Sequence, residues 1–301
     1  MYLPESIFPA FLRLTHANRP FRTAQGAHDA IRERALRPAA YGPPARVRSD
    51  VSITVDRDGA TPVYTVSPTS GGSSGHVIYA HGGGWINTIR SQHWALIFQI
   101  AAEAQITVTV PIWRLLPYGD AQEANALMLR LHAALRRSGS FVHLAGDSAG
   151  GQIALSAALA LRDAGIAGVR TVLIAPALDL TISNPRIPDV LPSDPWLGVD
   201  GCRILAEKWA GDLPLTDPVV SPLFGDLHDL GPLLIASGTR DILNPDAHLL
   251  VDKARAAGVD VTVLERAGAV HDFPLLPTRV GADARSRIVA GNGDSSASPK
   301  R

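Results

Sequence analysis

Two segments of the chain match Gly-x-Ser-x-Gly, a pattern that holds a serine nucleophile in a sharp turn between a strand and a helix in many hydrolases. They are residues 71–75 and residues 146–150. Such a turn needs a strand before the serine and a helix after it, so that the hydroxyl projects above a sheet. Ser148 has both, whereas Ser73 lies in a Gly/Ser-rich loop that precedes a strand. The context favours Ser148 as the nucleophile over the alternative, an ordinary glycine-rich connection.

A second motif, His-Gly-Gly-Gly-Trp at residues 81–85, follows the predicted strand His76–Ala80. Consecutive glycines after a strand expose backbone N–H groups, and each such donor can stabilise the oxyanion of a tetrahedral intermediate by about 3 kcal/mol. A plain turn or a phosphate-binding loop would also use glycines. The spacing, however, differs from the G-x-G-x-x-G of dinucleotide-binding loops. This loop followed by the Ser148 turn, in that chain order, indicates acyl transfer.

Together the two motifs, residues 81–85 and Gly-Asp-Ser-Ala-Gly-Gly at 146–151, resemble the hormone-sensitive-lipase-like branch (bacterial family IV esterases) of the α/β hydrolase superfamily. The resemblance covers roughly residues 50–290 in element order. It implies that the N–H groups of Gly83, Gly84 and Ala149 form an oxyanion hole.

In the same family the histidine before the glycines orients the loop, so His81 is expected to be structural rather than the base. The sequence departs from the family at residues 113–118, Trp-Arg-Leu-Leu-Pro-Tyr, where Tyr-Arg-Leu-Ala-Pro-Glu is common. This departure leaves the details of the pocket open.

A serine nucleophile needs a general base, and in α/β hydrolases the acid and then the histidine follow the serine along the chain. His271 lies in the loop after the presumed last strand, and Asp-Phe follows it where the family commonly has His-x-Phe. His228 falls in an inserted segment and His248 in a predicted helix. We therefore predict His271 as the base, the alternative being a surface-loop histidine.

The predicted acid is Asp241, which follows the strand Leu233–Ser237 and precedes His271 by thirty residues. Asp246 is the nearest competitor, but helical residues follow it and favour a role as a helix N-cap. Asp272 would have to fold back on its neighbour His271 to hold the ring. Asp147, beside the nucleophile, matches an acidic residue of the family and is expected to be a structural hydrogen-bonding group.

From residue 76 onward short apolar strands alternate with helices, which is typical of a mostly parallel α/β sheet covered on both faces. The resemblance implies the α/β-hydrolase fold, with about eight strands flanked by helices and a helical cap. We expect the core to comprise residues 51–182 and 232–290. N-terminal cap helices would lie in residues 1–50 and a proline-rich cap insertion in residues 183–231. The small, polar residues 291–301 are expected to form a disordered tail.

The composition of the 301 residues, 46% hydrophobic and 19% charged, is that of a globular protein. Basic and acidic residues both number 28, so no basic field for nucleic acid is expected. The single cysteine, Cys202, excludes an intrachain disulfide and a cysteine-based zinc cluster. No signal-peptide pattern opens the sequence and no apolar stretch reaches ~18 residues, so we expect a cytoplasmic protein without membrane contact.

We therefore expect a serine carboxylesterase that cleaves small to medium acyl esters through an acyl-enzyme, with no metal or organic cofactor. The candidate substrate-binding residues are Phe8, Phe11, Trp85, Trp196, Leu197 and Trp209. Packing in the core or cap explains such side chains more often than ligand contact does.

Three alternatives stay open for the function. The first is an amidase or N-deacetylase with the same triad, and the second is a lactone or carbamate hydrolase. The third is a non-catalytic ligand receptor, which His271 disfavours because receptor members of this broad family typically lack the catalytic histidine. The sequence is compatible with a homodimer through an edge strand or an apolar patch, and leaves the oligomeric state open.

Overall fold

The computed structural model describes residues 2–137 and 139–293, which include a sheet of eight strands flanked by helices. The strands are β1 (Val51–Asp58), β2 (Thr61–Pro68), β3 (His76–Ala80), β4 (Thr107–Pro111), β5 (Val142–Asp147), β6 (Thr171–Ile174), β7 (Leu233–Arg240) and β8 (Val261–Val270). Their order across the sheet is β1-β2-β4-β3-β5-β6-β7-β8. The β1–β2 and β2–β4 pairs are antiparallel and all the others are parallel. The predicted mostly parallel sheet of about eight strands is confirmed.

The described part of the chain contains ten helices, and those that contact the strands cover both faces of the sheet. They are α1 (Ile7–Thr15), α2 (Arg19–Arg22), α3 (Ala24–Leu36), α4 (Ser91–Ala104), α5 (Ala121–Arg136), α6 (Ala149–Asp163), α7 (Ile187–Val190), α8 (Val199–Ala210), α9 (Asn244–Ala256) and α10 (Arg279–Gly293). Short 3₁₀ turns occur at Pro222–Phe224 and Phe273–Leu275. Among the described residues, no helix combines the length and apolar character needed to cross a bilayer.

The central strands send alternate side chains into two hydrophobic clusters, one on each face of the sheet. In β3, Ile78 and Ala80 belong to the cluster that also contains side chains of α5, α6 and α9, while Val77 and Tyr79 belong to the cluster that contains side chains of α4 and α10. This alternation follows from the period of two in a strand. Because both faces are covered, the strands are apolar on both sides, and this is why they appear in the sequence as continuous apolar runs.

Two helices of the N-terminal segment, α2 and α3, pack against the segment 183–231. Helices α2, α3 and α8 contact one another, and Asn18 Nδ2 donates to the carbonyl of Pro195 at 2.9 Å. The two segments are far apart in sequence but adjacent in space. Their assignment as a cap stays a prediction.

The C-terminal helix ends later than the sequence suggested. Helix α10 continues to Gly293, so the first three residues of the expected disordered tail are helical. The rest of that tail, residues 294–301, lies outside the described residues.

Gln152, fully buried in the second turn of α6, joins three separate parts of the chain. Its Oε1 accepts hydrogen bonds from the indole N–H groups of Trp85 at 3.2 Å and Trp209 at 2.9 Å. Its Nε2 donates to the carbonyl of Val219 at 2.7 Å and to Ser156 Oγ at 3.1 Å. This amide therefore ties the glycine-rich loop and the segment 183–231 to the core helix.

We expect Gln152→Leu to lower the free energy of unfolding by about 3 kcal/mol, because each buried donor left without a partner costs ~1–3 kcal/mol. Urea unfolding followed by tryptophan fluorescence measures the change. Gln92→Leu, at an exposed position of α4, is the matched control and should change the stability by less than ~0.5 kcal/mol. Equal effects of the two substitutions would contradict the bridging role of Gln152.

Candidate active site

The turn that carries Ser148 joins β5 directly to α6. Ser148 has φ 50° and ψ −117°, a conformation that is uncommon for a residue with a side chain. In this turn the backbone at the start of α6 runs very close to β3. A Cβ atom on Gly150 would lie 1.9 Å from the carbonyl oxygen of Ala80. The residue at position 150 must therefore be glycine, and the Ser148 hydroxyl stands at the carboxyl end of the sheet.

The side chains of Ser148, His271 and Asp241 form a continuous chain of hydrogen bonds. His271 Nε2 lies 2.9 Å from Ser148 Oγ, and His271 Nδ1 lies 2.7 Å from Asp241 Oδ2. A carboxylate at Nδ1 requires the ring proton there, so Nε2 is free to accept from the serine hydroxyl. All three residues are buried, Ser148 being 8% exposed.

The topology explains how residues so far apart in sequence meet. Ser148, Asp241 and His271 come immediately after β5, β7 and β8. These strands run parallel in the order β5-β6-β7-β8, so their carboxyl ends share one edge of the sheet. The structure brings together the three residues that the sequence analysis selected.

The alternative candidates lie elsewhere. His228 is exposed and pairs with Asp226, and His248 pairs with Glu265 on the surface. Asp246 is not the N-cap that the sequence suggested, because α9 begins at Asn244 and Leu243 is its N-cap.

Instead the buried carboxyl of Asp246 accepts a hydrogen bond from Asn184 Nδ2 at 2.7 Å. Its remaining oxygen is unpartnered in the described part of the chain. Burial raises the pKa of Asp246 to about 7.

Asp272 does fold back on its neighbour, which the sequence analysis did not favour. It has φ 51°, and this left-handed backbone places its Oδ2 3.3 Å from His271 Nε2, on the serine side of the ring. Asp241 alone holds Nδ1, so Asp272 does not replace it. Burial raises the pKa of Asp272.

The environment of His271 favours its charged form. Burial by itself disfavours an imidazolium, but the negative charges of Asp241 and Asp272 more than offset this effect. The pKa of His271 is therefore raised above its ordinary value.

The glycine-rich loop is held by the carboxylate of Asp147. This carboxylate accepts hydrogen bonds from the Tyr79 hydroxyl at 2.6 Å, from the N–H of Gly82 at 3.0 Å and from His93 Nε2 at 3.0 Å. The N–H of Arg90 donates to His93 Nδ1 at 2.9 Å, so the ring proton of His93 lies on Nε2 and points at Asp147. Three donors from separate elements thus converge on the residue beside Ser148.

The glycine-rich loop is joined to the residue before Ser148 through the bond from Gly82 N–H to Asp147. Gly83 has φ 123°, a conformation that favours glycine. Within residues 2–137 and 139–293, the N–H groups of Gly83 and Gly84 donate to no other protein atom. Ala149 opens α6, so its N–H has no partner within the helix.

His81 lies beneath this loop and is fully buried. Its ring stacks on Trp113 with centroids 4.9 Å apart, and its Nδ1 lies 2.7 Å from the carbonyl of Gly82. Burial lowers the pKa of His81 to about 4, so the ring is neutral at pH 7. These contacts agree with an orienting role and not with that of a base.

The six candidate substrate-binding residues lie in three different environments. Trp196 lies against His271, its ring edge-on to the imidazole with centroids 5.8 Å apart, and Leu197 is buried in the same turn. Trp85 and Trp209 stack on each other in the interior, with their N–H groups bonded to Gln152 as described above. A role for these four residues in binding substrate stays a prediction.

The two phenylalanines of α1, Phe8 and Phe11, were also expected to bind substrate, but the structure does not place Phe11 in the buried site. Phe11 is 54% exposed, so it is not a wall of the buried site, and Phe8 is half-buried on the same helix. The isolated helical pattern of residues 7–14 did not show which of its faces would be covered. Phe21, which sequence analysis missed, lies against the glycine-rich loop: a Cβ on Gly84 would meet its ring at 2.4 Å.

Comparison with known proteins assigns the chain to a family. Residues 77–275 match the family described as alpha/beta hydrolase fold, and the chain belongs to it. An acetyl-hydrolase of Streptomyces hygroscopicus is 31% identical over 209 residues, which are 67% of this chain and 70% of that protein. The carboxylic ester hydrolase LipN of Mycobacterium tuberculosis is 28% identical over 266 residues, 80% of this chain and 68% of that protein.

A solved structure of a hormone-sensitive lipase from a metagenome library has the same fold. Its TM-score is 0.80 at 24% sequence identity, covering 97% of this chain and 99% of that chain. The predicted α/β-hydrolase fold and carboxylesterase class are confirmed, and the fold shared with that lipase agrees with the predicted hormone-sensitive-lipase-like branch.

The raised pKa of His271 predicts how the reactivity of Ser148 depends on pH. Labelling of the serine by a fluorophosphonate needs neutral His271 as base, so its rate should rise with pH through a midpoint above 6.5. Asp272→Asn removes a negative charge beside Nε2 and should lower this midpoint by about one pH unit.

Labelling rates measured from pH 5 to 10 by mass spectrometry test this expectation. Asp252→Asn, at an exposed position of α9, is the control and should leave the midpoint unchanged. A wild-type midpoint at or below 6.5 would count against the raised pKa. A midpoint unchanged by Asp272→Asn would show that this carboxyl does not act on His271.

Proposed function

We propose that this protein is a serine carboxylesterase that hydrolyses small to medium acyl esters through an acyl-enzyme. The observation that carries the proposal is the hydrogen-bonded chain from Ser148 through His271 to Asp241. In this chain a hydroxyl, a base and an orienting carboxylate stand in the order that nucleophilic catalysis requires.

In the first half of the proposed reaction Ser148 Oγ attacks the ester carbonyl carbon while its proton moves to His271 Nε2. Asp241 keeps the other ring proton on Nδ1 and stabilises the imidazolium. The tetrahedral intermediate then collapses: the bond to the leaving oxygen breaks, and His271 Nε2–H protonates that oxygen to release the alcohol.

In the second half water attacks the acyl-serine. His271 takes a proton from the water, and the second tetrahedral intermediate releases the carboxylic acid as the proton returns to Ser148 Oγ. The N–H groups of Gly83, Gly84 and Ala149 stabilise the oxyanion in both halves. Each donor is worth about 3 kcal/mol of barrier.

The Asp147 network supports this assignment of the oxyanion hole. Since Gly82 N–H donates to Asp147, the loop is fixed to the residue next to the nucleophile. A donor set held rigidly before the reaction needs no reorganisation when the negative charge develops.

The proposal includes a cap formed by residues 1–50 and 183–231. Support comes from Trp196, which packs on His271, and from Phe21, which packs on the glycine-rich loop. Phe21 belongs to residues 1–50 and Trp196 to residues 183–231. Because Ser148 is only 8% exposed and Trp196 lies beside its partner His271, we expect the acyl group to enter a narrow space, and this favours short chains.

Replacement of Ser148 tests the nucleophile. We expect Ser148→Ala to reduce hydrolysis of p-nitrophenyl butyrate by at least about 10³-fold, since the residual rate comes from the oxyanion donors and binding alone. Ser73→Ala is the matched control from the other Gly-x-Ser-x-Gly segment. Ser73 lies in the loop before β3, where its Oγ donates to the carbonyl of Gly75 and accepts from the N–H of Thr107. The control variant should therefore keep its activity. Full activity in Ser148→Ala would overturn the proposed mechanism.

Acyl-chain length tests the covered site. The value of kcat/KM for p-nitrophenyl esters should be at least about tenfold higher for acetyl to hexanoyl groups than for dodecanoyl. Trp196→Ala should reduce this discrimination by widening the space beside His271. Phe11→Ala, which alters an exposed side chain, should not. A wild-type preference for long chains would contradict the size limit.

The amidase alternative needs a parallel assay, because the same triad could cleave an amide. p-Nitroacetanilide compared with p-nitrophenyl acetate gives the ratio, which we expect to favour the ester. The cytoplasmic location and the homodimer stay predictions.

A further inference from the structure

Asp194, in the segment 183–231, has a buried carboxylate whose two oxygens bond to two different parts of the chain. Oδ1 accepts from the backbone N–H groups of Trp196 at 2.7 Å and Leu197 at 2.9 Å. Oδ2 accepts from the N–H of Ile242 at 2.9 Å. One side chain therefore joins the turn that carries Trp196 to the loop that carries the triad acid.

On the first side, the carboxylate fixes a tight turn in Ser-Asp-Pro-Trp. An aspartate that accepts from the N–H groups two and three residues later forms a compact local turn. This turn determines the direction of Trp196, whose ring edge meets His271. Arg22 from α2 secures the same turn by donating to the carbonyls of Asp194 at 2.9 Å and Leu197 at 3.2 Å.

On the second side, the carboxylate holds the residue directly after Asp241. Asp241 Oδ1 accepts from the N–H of Leu243 at 2.9 Å, and its Oδ2 bonds to His271 Nδ1. The loop must keep its backbone fixed for both bonds to form. Ile242, whose N–H bonds to Asp194, lies between Asp241 and Leu243 in this loop. Next to it, Arg240 Nε donates to the carbonyl of Ser193 at 3.1 Å.

At position 194 both oxygens of the side chain must accept hydrogen bonds. Three N–H donors face the two oxygens, so an amide in this place would turn an N–H₂ group towards at least one donor. Among the described residues, the partners of the Asp194 carboxylate are these backbone N–H groups and not a side-chain cation. Burial raises the pKa of Asp194 to about 6, and the three backbone donors oppose this effect because they stabilise the charged form.

We propose that Asp194 is a positioning residue of the hydrolytic site, which holds Asp241 against His271 and Trp196 over His271 at the same time. This inference rests on the esterase function proposed above. Asp194 acts through Asp241 and Trp196 and does not touch the substrate. Because its two oxygens serve different partners, the two effects can be separated by substitution.

Asp194 also contributes charge to the site. The titratable and charged side chains around it come from α2, α8, β7 and the loops after β7 and β8: Arg22, Cys202, Arg240, Asp241 and His271. Among these, the charge of Asp194 helps to raise the pKa of His271. Loss of that charge should therefore move the acid limb of the pH profile of kcat/KM to lower pH.

Two substitutions and one control test the proposal on the full-length chain. Asp194→Ser keeps an acceptor for the turn N–H groups, because a serine hydroxyl can replace an aspartate there, but it cannot reach Ile242. Asp194→Asn keeps the size of the side chain and removes the charge. Asp189→Asn, an exposed position of α7 in the same segment, is the matched control.

The measured quantities are kcat and KM for p-nitrophenyl butyrate, the pH profile, and the fraction of serine labelled at the end point by a fluorophosphonate. We expect Asp194→Ser to lower kcat per labelled site by about 10- to 100-fold, since small misplacements of catalytic groups have effects of this size. Its KM should stay within about threefold of wild type, and the acid limb should shift to lower pH. Asp194→Asn should lower kcat as well, and Asp189→Asn should match wild type.

A role confined to folding gives a different result. The labelled fraction and the melting temperature would then fall, while each labelled site kept the wild-type kcat and pH profile, and this result would overturn the proposal. If Asp194→Asn does not fold, Asp194→Ser decides by the same criteria. Failure of the esterase function itself is recognised separately, because wild type would then lack activity or Ser148→Ala would retain it.

Discussion

The close approach of α6 to β3 at Gly150 is the constraint on which the site depends. It forces the chain to turn sharply at Ser148, so that a strained residue stands between a strand and a helix. The same turn sets Asp147 on one side, where it fixes the glycine-rich loop, and the N–H of Ala149 on the other. One backbone contact thus positions the proposed nucleophile and both parts of the proposed oxyanion hole.

A second property of the site is the number of buried carboxyl groups around one histidine. Asp241, Asp272 and Asp194 all raise the pKa of His271, and each satisfies its own charge differently. Asp241 bonds to the ring and to a backbone N–H, Asp194 bonds to three backbone N–H groups, and Asp272 keeps one oxygen without a partner in the described chain. For Asp194, three backbone N–H donors take the place that a cation would otherwise fill.

The sequence predicted the sheet and the triad because both depend on short-range patterns. Apolar runs between glycine and proline residues mark the strands, and motif order selects Ser148, Asp241 and His271. Residues whose roles depend on distant segments escaped prediction. Phe21 lies over the glycine-rich loop, and Gln152 bonds to two indoles, but neither stands in a recognisable pattern. Asp194 had a local signal, Ser-Asp-Pro-Trp, that marks a turn without naming the second partner of the carboxylate.

The sequence by itself determined the family, the order of strands and helices, and the types of residue that do the chemistry. These features are local, since a turn or a strand is specified by neighbouring residues. Only the tertiary structure decided that Phe11 faces solvent, that Asp272 folds back to His271 Nε2, and that Asp194 joins Trp196 to the Asp241 loop. These outcomes depend on which surfaces become adjacent when the chain is compact. A linear pattern cannot encode that adjacency, because the hydrogen bonds and the burial arise between segments far apart in sequence.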